Sequence, residues 1–207
     1  LLRFAAPTIF MMVFVSLYTI VDGIFIARFV NTDALSATNI VFPIVNFFIG
    51  VAVMFSAGGS AIIAKEMGEG KLESARSNFS LVVLTGVVIG VVLGAAIYCN
   101  LEPIIYFLGA SELLYPYCRE YISIMLYGVP LLMLQVMFEG LWVTAGKPHL
   151  GFFFIALAGV TNAVLDYVLI VPCGLGVSGA AYATVAGYCI SGLSGVVYFM
   201  LRRTPLY

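Results

Sequence analysis

Charge is scarce in this sequence: 9% of its 207 residues are Asp, Glu, Lys or Arg, while 63% are hydrophobic. An ordinary soluble domain carries about 25% charged residues. A chain this poor in charge cannot cover a water-facing surface, so its expected solvent is a lipid bilayer. The net charge of −1 offers nothing to attract nucleic acid, and no such partner is expected. There is one histidine, His149, and the cysteines at 99, 118, 173 and 189 show neither CxxC spacing nor clustering with it. No transition-metal site or cofactor is expected, and the cysteines read as small apolar fillers. A bridge between Cys99 and Cys118 is the alternative. The stretch "GEGK" at 68–71 contains Gly-Lys, but Lys65 stands where a phosphate loop needs its first glycine. With no ATP site, any transport must draw on a gradient. No nucleophile–base pair is visible, so the chain is not expected to be an enzyme. The first apolar run lacks a basic leader and a small-residue cleavage site, and no cleavable signal peptide is expected. The chain opens at Leu1, which reads as a piece of a longer protein.

What the sequence has is long apolar runs. A spanning helix needs about 20 mainly apolar residues, and six segments qualify: roughly 4–28, 37–64, 79–99, 119–145, 150–171 and 179–201. These runs are continuous, unlike the alternating segments of about ten residues in a membrane β-barrel. The expected fold is therefore an all-α membrane protein, a six-transmembrane-helix bundle. The breaks between spans carry the charges, and they set an orientation. Arg3, Lys65, Lys71, Arg76, Lys147, Arg202 and Arg203 share one side, and only Arg28 and Arg119 fall on the other. Basic loops stay inside, so both ends of this chain are expected in the cytoplasm. Gly86, Gly90 and Gly94 recur every fourth residue on span three. That spacing lets helices approach closely, either within the bundle or across a dimer face.

Three acidic residues lie inside spans: Asp22, Glu139 and Asp166. A charge at mid-helix costs roughly 2.5–3.5 kcal/mol on insertion scales and usually faces an ion or substrate path. Asp22 sits near the outer end of span one and Asp166 near that of span five; Thr184 and Tyr121 lie just inside the outer ends of spans six and four. At 1.5 Å per residue all four fall within roughly 9 Å of the outer boundary. Asn162 and Asp166 are i and i+4, as are Tyr18 and Asp22, and Ala180 and Thr184, so each pair shares a helix face. Pointed together, these faces make a polar pocket. Two carboxylates there repel, which a proton on one of them or a shared cation relieves. Carboxylates with an amide oxygen, a hydroxyl and backbone carbonyls form an oxygen-only shell suited to sodium or a proton, with Asp22, Asn162, Asp166 and Thr184 as the candidate sodium ligands. Structural hydrogen bonding between helices is the competing reading. Glu139 lies roughly 27 Å deeper than Tyr121; it either snorkels to water or lines an inner vestibule with Gln135. Tyr18, Gln135 and Glu139 are the candidate substrate-cavity residues.

Four stretches carry a family resemblance: "PTIFMMVFVSLYTIVDGIFIARF", "GGSAIIAKEMGEGKLESAR", "FEGLWVTAGKPHLG" and "TNAVLDYVLIVPCGLGVSGAAYAT". With these the sequence resembles the MATE family of multidrug and toxic compound extrusion transporters over essentially its whole length. The resemblance implies a twelve-helix transporter of two six-helix lobes, of which this chain is similar to the first, so the second lobe becomes an expected partner alongside the bilayer. It implies export of small cationic or amphipathic drugs against inward H+ or Na+ flow, in the inner membrane of a bacterium or archaeon. It places Asp22, Asn162, Asp166, Thr184 and the Ala180 carbonyl at the cation site, adds Tyr121 to its hydrogen-bond network, and makes Pro7 the point where the first helix bends. Two rivals remain. A related flippase for lipid-linked oligosaccharides should carry basic residues inside the lobe to hold phosphate, whereas every Lys and Arg here lies at a loop or helix end. A non-transporting membrane scaffold predicts that the buried aspartates are replaceable.

Overall fold

The computed structural model describes residues 2 to 200, without the side chains of residues 2 to 8 and of residue 200. Arg3 and Pro7 belong to those excepted side chains, and Arg202 and Arg203 lie outside the described residues. Among the described residues the structure is entirely helical: α1 (Leu2–Phe29), α2 (Thr32–Gly68), α3 (Leu72–Cys99), α4 (Leu101–Phe107), α5 (Tyr115–Thr144), α6 (Pro148–Ile170) and α7 (Gly176–Met200). Six of these, all but α4, are long and apolar enough to cross a membrane. In hydrocarbon every backbone N–H and C=O must be satisfied within its own segment, which favours unbroken helices.

Several helices outrun the apolar windows from which they were expected. α3 begins at Leu72, seven residues before the expected span, because the polar stretch through Asn78 still has helix-forming residues and places Glu73 in the first turn, where the helix dipole favours a carboxylate. α2 has 37 residues and so measures roughly 55 Å, well beyond the ~30 Å hydrocarbon core. Its amino end is capped by Asn31, whose side chain accepts a hydrogen bond from the Ala34 N–H at 2.6 Å. Gly70 and Gly146 hold positive φ of 77° and 72° at the two tight connections, α2–α3 and α5–α6; only glycine takes that left-handed turn without a Cβ penalty. The expected loop between α3 and α5 contains the short helix α4. At seven residues it falls far below any spanning window, so hydropathy alone passes over it.

Antiparallel succession gives the bundle two ends. The α2–α3 and α5–α6 connections mark a basic face, with Lys65, Lys71, Arg76 and Lys147; the α1–α2, α3–α5 and α6–α7 connections mark the opposite, α4 face, with Arg28 and Arg119. On the basic face Glu66 ties α2 to α3, accepting from Ser74 Oγ at 2.6 Å and from Asn78 Nδ2 at 2.8 Å.

α5 is the central helix: 72% of its apolar window is buried, against 11% for α1. It packs on α2, α3 and α7, while α6 packs between α7 and α1. Small residues allow these approaches. A Cβ at Gly192 of α7 would stand 3.0 Å from the Leu131 carbonyl oxygen of α5, and one at Gly159 of α6 would meet Phe14 of α1 at 2.7 Å. The repeated glycines of α3 face α5 in the same way: a Cβ at Gly86 would meet Met137 at 2.5 Å and one at Gly90 would meet Met133 at 2.7 Å. Their role is packing within the bundle, the first of the two expected alternatives. Cys99 and Cys118 are both free thiols, so the bridge between them is not formed; buried Cys118 instead donates to the Ala37 carbonyl at 3.5 Å.

Candidate functional site

The helix order α1–α6–α7–α5 brings the expected polar residues together. α6 presents Asn162 and Asp166 from one face, and these are 2% and 0% exposed. Asn162 Nδ2 donates to Thr184 Oγ1 of α7 at 3.4 Å. Tyr121 of α5, also buried, lies beside Thr184. Asp22, half-buried on α1, is adjacent to Asp166. Ala180 is fully buried one turn before Thr184 on α7, so its position on the helix shares the face of Thr184.

The hydrogen-bond account of this cluster does not close. Asp22 Oδ1, Asn162 Oδ1 and both Asp166 oxygens are buried with no donor among the described residues. Nearly all buried polar atoms in folded proteins are paired, and leaving one unpaired costs about 1–3 kcal/mol, more for a charged group. Among the described residues no three His, Cys, Asp or Glu side chains group together as metal ligands. The available donor set is therefore the mixed one of carboxylate, amide and hydroxyl oxygens, which suits a hard monovalent cation or a proton.

One polar residue of the site, Tyr188, was not anticipated from sequence. Tyr188 of α7 is 7% exposed and lines a small void with Tyr18, Gln135, Asn162 and Thr184. Its signal was present: Thr184 and Tyr188 repeat the i, i+4 spacing of Asn162 and Asp166. Tyr18, half-buried, stands between Gln135 of α5 and Asp22 one turn away on its own helix. Gln135 is buried and neighbours Glu139. Glu139, half-buried, lines a cavity of about 630 Å³ between α1, α2 and α5 together with Ser16, Ser56, Ser60 and Thr144. Glu139 thus lines an inner cavity, while Gln135 lies outside that lining and borders the small void beside Tyr18. α1 and α2 touch near their shared connection, where Gly23 approaches Leu35, and separate toward the basic face, which opens this cavity. A continuous series of polar side chains thus runs from the cavity through Glu139, Gln135 and Tyr18 to the carboxyl pair.

The comparisons agree with this architecture. The MatE family model matches residues 7–168. A FAD transporter of Shewanella oneidensis is 28% identical over 98% of this chain and 46% of its own length. A Bacillus subtilis protein described as a "Probable multidrug resistance protein" is 25% identical over 98% of this chain and 45% of its own. Among solved structures, the outward-facing conformation of a multidrug resistance MATE family transporter of the MOP superfamily superimposes with a TM-score of 0.84 at 26% identity, covering 99% of this chain and 46% of that one. The chain spans about half the length of the curated relatives it matches. With a family model covering most of its residues and the fold of one half of such transporters, the chain belongs to the MatE family of multi-pass membrane transporters.

Proposed function

We propose that the complete protein is a secondary active antiporter that exports small cationic or amphipathic compounds in exchange for H+ or Na+, with Asp22, Asn162, Asp166 and Thr184 as the coupling site. The observation that carries this reading is the set of four buried, donor-less oxygens on Asp22, Asn162 and Asp166. Two adjacent carboxyls with no basic partner are stable only with a proton or a cation between them. Releasing that ion leaves uncompensated charge, which biases the lobe toward another arrangement. Tyr121 and the Ala180 backbone belong to the same shell. The Glu139 cavity, with Gln135 and Tyr18, is the route by which the compound reaches it, and Glu139 supplies a counter-charge for a cation.

The relative that transports FAD suggests an anionic cargo as the second reading. A pyrophosphate calls for Arg or Lys near the midplane, yet the described basic residues, Arg28, Lys65, Lys71, Arg76, Arg119 and Lys147, all lie at helix ends or loops. The same distribution argues against an oligosaccharide-lipid flippase. Seven basic residues against two support an orientation with the basic face in the cytoplasm. The missing half of the length supports a second lobe as the partner for alternating access.

The test is ethidium efflux from vesicles containing the complete protein under imposed proton or sodium gradients. Efflux should follow one of the two gradients and be lost in Asp166→Asn, as expected when an intramembrane charge that marks the ion path is removed. Gradient-driven efflux that survives the substitution would reduce the cluster to interhelical bonding.

A further inference from the structure

Along the contact between α3 and α5 the room beside the glycines of α3 changes from one turn to the next. A Cβ at Gly86 or Gly90 would collide with α5, but at Gly94 the nearest atom, the Leu126 carbonyl oxygen, is 3.8 Å away. On α5 Pro130, one turn past Leu126, supplies no N–H to the hydrogen-bond ladder. Beside this contact lies an apolar groove of about 280 Å³ lined by Gly94, Tyr98, Cys99, Leu126, Tyr127 and Pro130. From Val91 to Cys99 it follows roughly 12 Å of helix, most of the ~15 Å depth of one leaflet's hydrocarbon.

A second cavity, about 270 Å³, begins where the groove ends. It shares Tyr98 and Cys99 with the groove and adds Glu102, Tyr115, Arg119 and Ser123. Its character is opposite: two charges of unlike sign and two hydroxyls at the membrane surface. Arg119 is one of only two basic residues on this face. Among the described residues the only ion pairs join Glu69 to Lys65 and Lys71, so Arg119 and Glu102 line one cavity without neutralising each other. The walls are fixed by aromatic contacts. Tyr98 and Tyr127 pair their hydroxyls at 3.3 Å at the mouth of the groove, and Tyr106 of α4 stacks on Tyr115 with ring centroids 5.1 Å apart. Tyrosines at this level are the usual interfacial anchors.

We propose that this composite groove binds one zwitterionic phospholipid with a primary-amine headgroup from the leaflet at the α4 face, its acyl chain along Gly94 and Pro130 and its headgroup between Arg119 and Glu102. The guanidinium takes the phosphate, for which its planar donor fork is suited, and the Glu102 carboxylate takes the ammonium. An anionic lipid would meet Glu102 with like charge, and a quaternary ammonium has no N–H to donate to that carboxylate. The site is separate from the carboxyl cluster and does not depend on what is transported. Bound lipid would wedge α3 from α5 on that side and hold α4 down on the surface.

The test is native mass spectrometry of the complete protein in detergent, with phosphatidylethanolamine, phosphatidylglycerol or phosphatidylcholine added back after delipidation. One phosphatidylethanolamine should be retained about tenfold better than either other lipid, the scale of one charge-assisted contact. Arg119→Gln should lower its retention by about the same factor, and Glu102→Gln should abolish the preference over phosphatidylglycerol. Gly94→Leu fills the groove at a position where a Cβ meets nothing nearer than 3.8 Å, so it should remove the retained lipid while the variant still elutes as a folded species. Equal retention of all three lipids, or retention unchanged in Arg119→Gln and Gly94→Leu alike, would overturn the proposal.

Discussion

Asp166 sits at 0% exposure with both carboxylate oxygens lacking a donor, beside a second carboxylate. Such an arrangement is held in place by the rest of the fold and is costly to it, as functional sites commonly are. Replacing Asp166 by Asn removes one charge and supplies an N–H donor to Asp22. The expected outcome is therefore a variant that folds better while it transports worse: its Tm in detergent should rise by a few degrees, since each kcal/mol moves Tm by about 2–4 °C in a chain of this size. Asp166→Leu, which supplies no donor, should gain less. A fall in Tm for Asp166→Asn would mean that the carboxylate is a structural acceptor. At this scale the sequence was informative where polar residues interrupt apolar runs, as Asn162, Asp166 and Asp22 do. Tyr188 was harder to see because tyrosine is unremarkable in such a run; its hydroxyl matters only once α7 turns it toward Tyr18 and Asn162.

Whole helices were legible by length and hydropathy, and their ends and neighbours were not. The i, i+4 glycines of α3 announced a close contact, but not which helix would fill it. The structure answers with α5, and it grades the three positions. Gly90→Val should destabilise by about 1–3 kcal/mol, the usual cost of overpacking, because its Cβ falls 2.7 Å from Met133. Gly94→Ala should be close to neutral, with nothing nearer than 3.8 Å. Thermal unfolding of both variants checks the ranking, and equal losses would contradict the greater room beside Gly94. α4 escaped notice for a physical reason. Seven residues lying on a surface bury too little to leave a periodic signal, and this helix is fixed instead by Leu101 and Ile105, both buried against the bundle.

The bundle as a whole is asymmetric. α1 is largely uncovered, with Phe10, Met12, Leu17 and Ile20 more than half exposed, and the cavity beneath it opens between α1 and α2. Under the proposed function, the bilayer and a second lobe would cover that surface. Composition was enough to read the six spans and the membrane environment. It could not show that Glu139 lines a cavity between α1, α2 and α5, because that depends on how these three helices pack.

In the proposed antiporter, ion and exported compound would compete through the carboxyl pair. Linkage then requires each to weaken the other's affinity by the same factor. The most direct measurement is the Kd of ethidium for the complete protein, by fluorescence anisotropy, across pH 5 to 8 with and without sodium, in wild type and in Asp166→Asn. Wild-type affinity should weaken as protons or sodium are added, and the variant should show a flat response. An ethidium affinity independent of both ions in the wild type would contradict the account.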